Sequence, residues 1–302
     1  MSGKGGRTLA VNAGTVQDEA YTTSTPLKDM WSRLRKNRLA LVGLFLVVVL
    51  ILLAIFAGVI APYDPTQNYL KESLKAPSLK HLMGTDVLGR DIFSRVIYGS
   101  RASLIIGVVA TSISLVIGVF LGAISGFYGG KLDSIIMRIT DIFFAFPFFV
   151  FAIAVMTFLG PSFINVFIAL GLIGWTNFAR LVRGQVLAVK ASDYIEAARA
   201  IGVKNTRIIW KHVLPNTLAP IIVYSTMNIA SAILSEAGLS FLGIGVQPPD
   251  PSWGLMLSEG TSYIWTAPWL VIWPGVAIFL TVLGYNLLGD GLRDALDPRL
   301  KQ

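Results

Sequence analysis

The sequence predicts an all-α integral membrane protein with six transmembrane helices. Three observations carry that prediction. The 302 residues are 54% hydrophobic and only 14% charged, against about 25% charged in soluble domains, and the mean hydropathy is +0.67. The apolar residues fall in runs of about 20, the length that crosses a bilayer. Lys and Arg sit at the ends of those runs, so the formal net charge of +8 reads as loop charge facing an anionic membrane surface. It is not read as a nucleic-acid footprint. The chain has no cysteine, so disulfides and thiol chemistry are absent, and this decides no compartment.

Residues 1–38 read as a polar cytoplasmic tail, the first 25 of them disordered in composition. Lys28, Arg33, Arg35, Lys36 and Arg38 precede the first apolar run and place the N-terminus in the cytoplasm. That run, 39–61, is long enough to span and lies too far in for a secretory signal. Ala61-Pro62-Tyr63-Asp64-Pro65 ends it and opens an external segment, 62–102, with six Lys/Arg and four acidic residues. Within this segment an amphipathic interfacial helix is expected, with Ile92, Val96 and Ile97 opposite Arg90, Asp91 and Arg95.

The core, 103–289, holds spans two to six. The second, 103–126, carries Gly118, Gly122 and Gly126, with Gly130 beyond, at four-residue spacing. On a helix such glycines line one face and let another backbone approach closely. Tyr128-Gly129-Gly130-Lys131 lacks the first glycine and the following Ser/Thr of a phosphate-binding loop. The third span, 135–159, has Arg138 and Asp141 on one face and a kink at Pro147. Asp141 is either a helical ion-pair partner of Arg138 or a carboxylate lining a pathway. The fourth span is 163–182, the fifth 213–234 with bends at Pro215 and Pro220, and the sixth 269–288. Residues 236–268 contain no Lys or Arg, which marks them as external. They are too apolar for a simple loop and read as interfacial or re-entrant, with Trp253, Trp265, Trp269 and Trp273 near the headgroups. The tail, 290–302, returns to the cytoplasm.

Between spans four and five lies a basic island, 183–212, with six Lys/Arg. Parity and charge both put it in the cytoplasm with the two termini. Asp193 reads as an N-cap with Glu196 as its reciprocal capping carboxylate. Gly202 supplies a left-handed stop, and a second short helix should start near Asn205 or Thr206. Taken alone, this is either a capped connector or a docking element.

Three stretches carry a family resemblance. Glu196-Ala197-Ala198, Gly202 and Leu214-Pro215 resemble the EAA loop of ABC importer permeases, with His212 where that family usually has isoleucine. Residues 84–104 and 289–298 resemble the C-type permeases of dipeptide and oligopeptide importers. The resemblance, which spans about residues 31–301, implies a type I permease fold in which 192–215 docks into an ATPase cleft. It implies ATP-driven uptake of dipeptides or oligopeptides, at the cell's inner membrane, with a homologous second permease. Two ATPase subunits and an external solute-binding protein are its further partners. ATP and Mg would be held by the ATPase subunits and no cofactor by this chain. Nickel, glutathione or oligosaccharide remain alternative cargoes. A self-sufficient secondary transporter is the alternative from another class, but no internal repeat or midplane charge supports it. The sequence shows no zinc motif, nucleophile elbow or nucleotide loop, and its only histidines, His81 and His212, lie apart. The chain therefore reads as a transport subunit rather than an enzyme.

Overall fold

A computed structural model describes residues 26–296, with side chains from Met30 onward. The polar tail 1–25 and residues 297–302, both read above as cytoplasmic, lie outside the described residues. The order is α1 (Pro26–Leu34), α2 (Arg38–Ile55), α3 (Ala57–Ile60), α4 (Ile92–Tyr128), α5 (Gly130–Ala145), α6 (Phe148–Leu159), α7 (Phe163–Lys190), α8 (Asp193–Ala200), α9 (Asn205–Ile208), α10 (Leu214–Phe241), α11 (Trp253–Thr261) and α12 (Trp269–Leu296). Among the described residues the only β pairing is an isolated bridge, Thr85 to Asp91.

Five helices are long and apolar enough to cross a membrane, and a sixth crossing exists if α5 and α6 form one broken span. Those two meet at 94°. The kink expected at Pro147 is thus a break. Pro147 has no N–H to donate and restrains Phe146 to an extended backbone (ψ 133°), so the helix stops. The expected pair of Asp141 with Arg138 is also replaced. Asp141 Oδ1 accepts from Arg180 Nη2 of α7 at 2.9 Å.

Other expectations change as well. Residues 92–102 form no separate interfacial helix, because α4 runs unbroken for 37 residues. Arg90, Asp91 and Arg95, read as a solvent face, are almost wholly buried. Trp253, read as a headgroup anchor, is 1% exposed and donates from Nε1 to the Val96 carbonyl at 2.9 Å. Moreover α12 continues to Leu296, so residues 290–296 are helix rather than polar tail.

The lobe formed by residues 62–91 is held by buried charge. Asp91 caps α4 by accepting from Ser94 N at 2.8 Å. His81, 2% exposed, lies between Asp91 Oδ1 at 2.9 Å and Glu72 Oε2 at 2.6 Å. Arg90 Nε donates to Asp86 at 2.5 Å and its Nη2 to Glu259 of α11 at 3.2 Å. Trp269 Nε1 donates to the Thr85 carbonyl at 3.2 Å. The lobe is thus fastened to α4, α11 and α12.

Hydrogen bonds from Lys80 and His81 hold the Glu72 carboxyl down to about 2, from an ordinary value of 4.5. A depressed carboxyl favours the folded lobe above its unfolded value and loses that contribution as pH falls from 4.5 toward 2. Pepsin cleavage within residues 70–91 should therefore accelerate across that window. In Glu72→Gln it should start faster and change less. Parallel pH profiles would remove Glu72 from this role.

Candidate coupling site

The basic island folds into a compact element under the spans. Ser192, with extended backbone, is the N-cap of α8, and Asp193 is its first helical residue. The expected capping box of Asp193 and Glu196 is not formed, because Asp193 is already helical, and the Ser192 hydroxyl donates back to the Val189 carbonyl at 2.5 Å rather than capping α8. Glu196 is exposed and its carboxyl makes no hydrogen bond or ion pair among the described residues, while its backbone N–H donates to the Ser192 carbonyl at 3.4 Å. Asp193 and Glu196 in the first turn favour α8 through its dipole.

The helix ends in a Schellman motif. Gly202 has φ +77°, Val203 N donates to the Ala198 carbonyl at 3.1 Å and Gly202 N to the Arg199 carbonyl at 2.9 Å. The second helix starts at Asn205. It widens into a π-turn, Ile209–Val213. Pro215 lacks the N–H that would close an α-turn onto Lys211, and a widened turn is one way a helix absorbs that loss. Leu214 and Pro215 open α10, with Leu214 half-buried, and the His212 carbonyl accepts from Asn216 Nδ2 at 2.6 Å.

The underside of this element is a core. Ile195, Ile208 and Val213, each fully buried, pack with Phe127 and Ala123 of α4, Val182 and Val186 of α7, and Ile221 of α10. Each such side chain contributes roughly 1.5–3 kcal/mol by burial. Polar ties reinforce it. Lys190 Nζ donates to the Phe127 carbonyl at 2.6 Å. The Arg199 guanidinium stands 5.2 Å from the Phe127 ring, an arrangement worth about 0.5–1 kcal/mol at an exposed site. Arg183 clasps Asp133 of α5 with two hydrogen bonds, 2.6 and 2.7 Å.

The opposite side is open. Glu196, Ala197 and Gly202 are exposed, Ala198 is half-buried, and a Cβ at Gly202 would meet nothing within 4 Å. Tyr194 (47% exposed) and Ile201 (80%) lie in the same element. Neither was singled out in the sequence, although two large apolar residues inside a polar island are a legible signal. The element is fixed to three spans on one side and presents a mixed apolar and charged surface on the other.

The glycine face of α4 meets α7 of the same chain. A Cβ at Gly118 would lie 2.3 Å from Phe178 Cβ, one at Gly122 2.5 Å from the Ala179 carbonyl oxygen, and one at Gly126 2.9 Å from the Arg183 carbonyl oxygen. Gly130 lies outside this face and starts α5 with φ +61°. The side chains of Asp141 and Arg180 are both more than half exposed, and their ion pair ties α5 to α7.

The described residues thus form a bundle of five or six candidate spans with a packed helix–glycine–helix, open on one side, before α10. Comparison with known proteins gives the family. Residues 118–302 match the family model of the binding-protein-dependent transport system inner membrane component. Residues 25–77 match the N-terminal TM domain of oligopeptide transport permease C. The chain belongs to the binding-protein-dependent transport family of ABC importer permeases.

Among relatives, the dipeptide transport system permease protein DppC of Alkalihalophilus pseudofirmus is 46% identical over 284 residues, 94% of this chain and 93% of that protein. The glutathione transport system permease protein GsiD of Escherichia coli is 49% identical over 278 residues, 92% of each. The oligopeptide transport system permease protein OppC of Bacillus subtilis is 44% identical over 293 residues, 97% and 96%. An inward-facing form of the MetNI methionine ABC transporter has a chain similar to this one, with TM-score 0.57 and 20% identity, covering 67% of this chain and 96% of that one. That likeness supports the type I permease fold.

Proposed function

We propose that this chain pairs with a homologous permease to form the membrane pathway for ATP-driven uptake of dipeptides or oligopeptides. The observation that carries the coupling half of this reading is the two-sided element at 193–213. Its buried side is one core with α4, α7 and α10, so a push on its open side reaches three spans as a rigid displacement. Two ATPase subunits, which hold ATP and Mg, press on Glu196, Ala197 and Gly202, with Leu214 and Pro215 setting the angle at which α10 leaves. An external solute-binding protein delivers the cargo.

The three relatives named above support a short-peptide cargo, since glutathione is itself a tripeptide. Uptake of labelled dipeptide, tetrapeptide and glutathione by cells carrying the complete system tests this. Transport of glutathione alone would narrow the reading to that cargo, and transport of none would overturn it.

The layout is N-in and C-in at the inner membrane, with 183–212 cytoplasmic and 236–268 external, as their charge asymmetry requires. Asp141 then lines the water-filled pathway. An exposed Asp141–Arg180 pair is costly against lipid and acceptable against water or a partner. Because the chain has no cysteine, single substitutions test all three placements. Ser258→Cys should react with an impermeant thiol reagent added outside, Lys204→Cys only after the membrane is opened, and Asp141→Cys with a small water-soluble reagent. Swapped labelling at 258 and 204 would sink the layout, and an inert Cys at 141 would remove it from the pathway.

A further inference from the structure

The first half of the broken span, α5, is the segment that the apolar cores do not hold. Of its 16 residues only Ile136 and Thr140 are buried. Among the described residues none of them belongs to an apolar cluster. Both its ends are joints. At one, Gly129 and Gly130 have φ of +68° and +61°, and a Cβ on either would meet nothing within 4 Å. At the other, the extended backbone of Phe146 and Pro147 ends the helix, and α6 leaves at 94°.

The side chains of α5 that reach other elements go mainly to α7. Arg183 donates to Asp133 from Nε and Nη2 at 2.6 and 2.7 Å. Arg180 donates to Asp141 at 2.9 Å, and its guanidinium stands 4.2 Å from the Phe144 ring. The Phe143 ring meets Trp175 edge-on, with centroids 5.6 Å apart. Residues 175, 180 and 183 thus meet 143, 141 and 133, in antiparallel order along the two helices. Two contacts go elsewhere. Phe143 also faces Phe151 of α6, with centroids 5.2 Å apart, and the Ser125 hydroxyl of α4 donates to Asp133.

Arg183 is anchored on its other side. Val182 and Val186, which flank it on α7, are fully buried with Ile195, Ile208 and Val213 of the coupling element. A guanidinium that grips a carboxylate through two hydrogen bonds fixes angle as well as distance. One helix is therefore bound to the coupling element through its apolar face and to α5 through its arginines. The glycines and the proline break leave α5 able to turn at its ends.

We propose that Arg183 and Asp133 are positioning residues for transport, which carry the movement of the coupling element from α7 into α5. On this arrangement α5 swings with α7 about the joints at 129–130 and 146–147, while α6 stays behind. Arg180 and Asp141 form a second rung, so Asp141 moves with the stroke. The inference rests on the uptake function proposed above and names the residues through which an ATP-driven displacement reaches the broken span.

The test uses the complete transporter in proteoliposomes, with its ATPase subunits and the binding protein of the same system. Asp133→Asn and Arg183→Gln should each retain the ATPase subunits, while peptide imported per ATP hydrolysed falls at least fivefold. Exchanging the charges, Asp133→Arg with Arg183→Asp, should recover most of that ratio, which a variant that merely lost stability would not do. An unchanged ratio in both single variants overturns the proposal, and so does a folded exchange variant no better than either. A second measurement leaves the pair intact. The chain has no cysteine, so spin labels are placed at the exposed positions Ser134→Cys and Leu187→Cys for α5 to α7, and at Ser134→Cys and Val150→Cys for α5 to α6. The partner subunits are made free of reactive cysteine. Between the nucleotide-free and vanadate-trapped states the α5–α7 distance should hold and the α5–α6 distance should shift. If α5 instead parts from α7, or keeps its distance to α6, the clasp does not carry the stroke. Absence of uptake by the unmodified transporter would count against the uptake function alone, because these distances are read from the nucleotide state without any cargo.

Discussion

Gly122→Leu should prevent this chain from folding even when it is expressed without any partner. The reason is local. A Cβ at Gly122 would stand 2.5 Å from the Ala179 carbonyl oxygen and 2.9 Å from Val182 Cβ, both on α7. Backbone cannot rotate away as a long side chain can, so α4 and α7 must separate. Overpacking of this kind costs typically 1–3 kcal/mol for a few methylenes, and separating two long helices also opens the apolar contacts on either side of the glycine. Gly184→Ala is the control, because a Cβ there meets nothing within 4 Å. The expected result is loss of monodisperse protein in detergent for Gly122→Leu and a melting temperature near that of the unmodified chain for Gly184→Ala. If Gly122→Leu is as heat-stable as the unmodified chain, the helices do not approach as described. Read from the sequence, the glycine face promised close contact with another backbone without saying whose. The structure supplies α7 of the same chain, so the defect is expected in the isolated chain.

Much of this architecture was legible because membranes impose simple rules. Apolar run length located the long apolar helices, although α4 starts eleven residues before the span read at 103–126 and α7, α10 and α12 run seven or eight residues past theirs, and Gly202 announced its turn because few other residues occupy φ +77° cheaply. The less legible parts share one cause, burial of polar groups by partners distant in sequence. Arg90 and Arg95 looked like a wet face because nothing nearby signals that Glu259, more than 160 residues on, lies against both. Glu236 opens the stretch 236–268 that was read as external. It is fully buried, accepting from Ser103 of α4 at 3.1 Å and Ser240 at 2.7 Å. Asp141 looked like the helical partner of Arg138, and no local rule favours Arg180 of the next span over it. Trp253 has the composition of an interface anchor, and only the groove beside Gly99 makes it core. At the coupling element the glycine and the Leu-Pro were readable as motif. The capping role assigned to Glu196 was not what the geometry gives that side chain, and its lack of any partner in the chain sharpens the question of what it meets.

Gly202→Asp should leave the chain inserted and folded while releasing the ATPase subunits. The Schellman turn places Gly202 at the outermost point of the element, with open space where a Cβ would stand. The cost inside the chain is therefore confined to backbone, about 1 kcal/mol for a left-handed non-glycine, and Asp tolerates that region better than most residues. A carboxylate just past the end of α8 also opposes the helix dipole, by about 0.3–1 kcal/mol. These sums are too small to unfold a core containing Ile195, Ile208 and Val213. On the open side the change is larger in kind, since a neutral, side-chain-free position acquires volume and charge in the surface that has to fit another protein. The expected outcome is a melting temperature within a few degrees of the unmodified permease. At least tenfold less ATPase subunit should be recovered on co-purification, and peptide uptake should fall in proportion. Glu196→Ala supplies the second arm. Its carboxyl holds nothing among the described residues, so a loss of uptake is expected to come from a partner, and stability should change by less than about 1 kcal/mol. Full retention of the ATPase subunits with normal uptake in both variants would return residues 193–213 to the status of a connector between two spans. Loss of uptake with the ATPases still bound would place the fault in transmission through α8 and Phe127 rather than in docking.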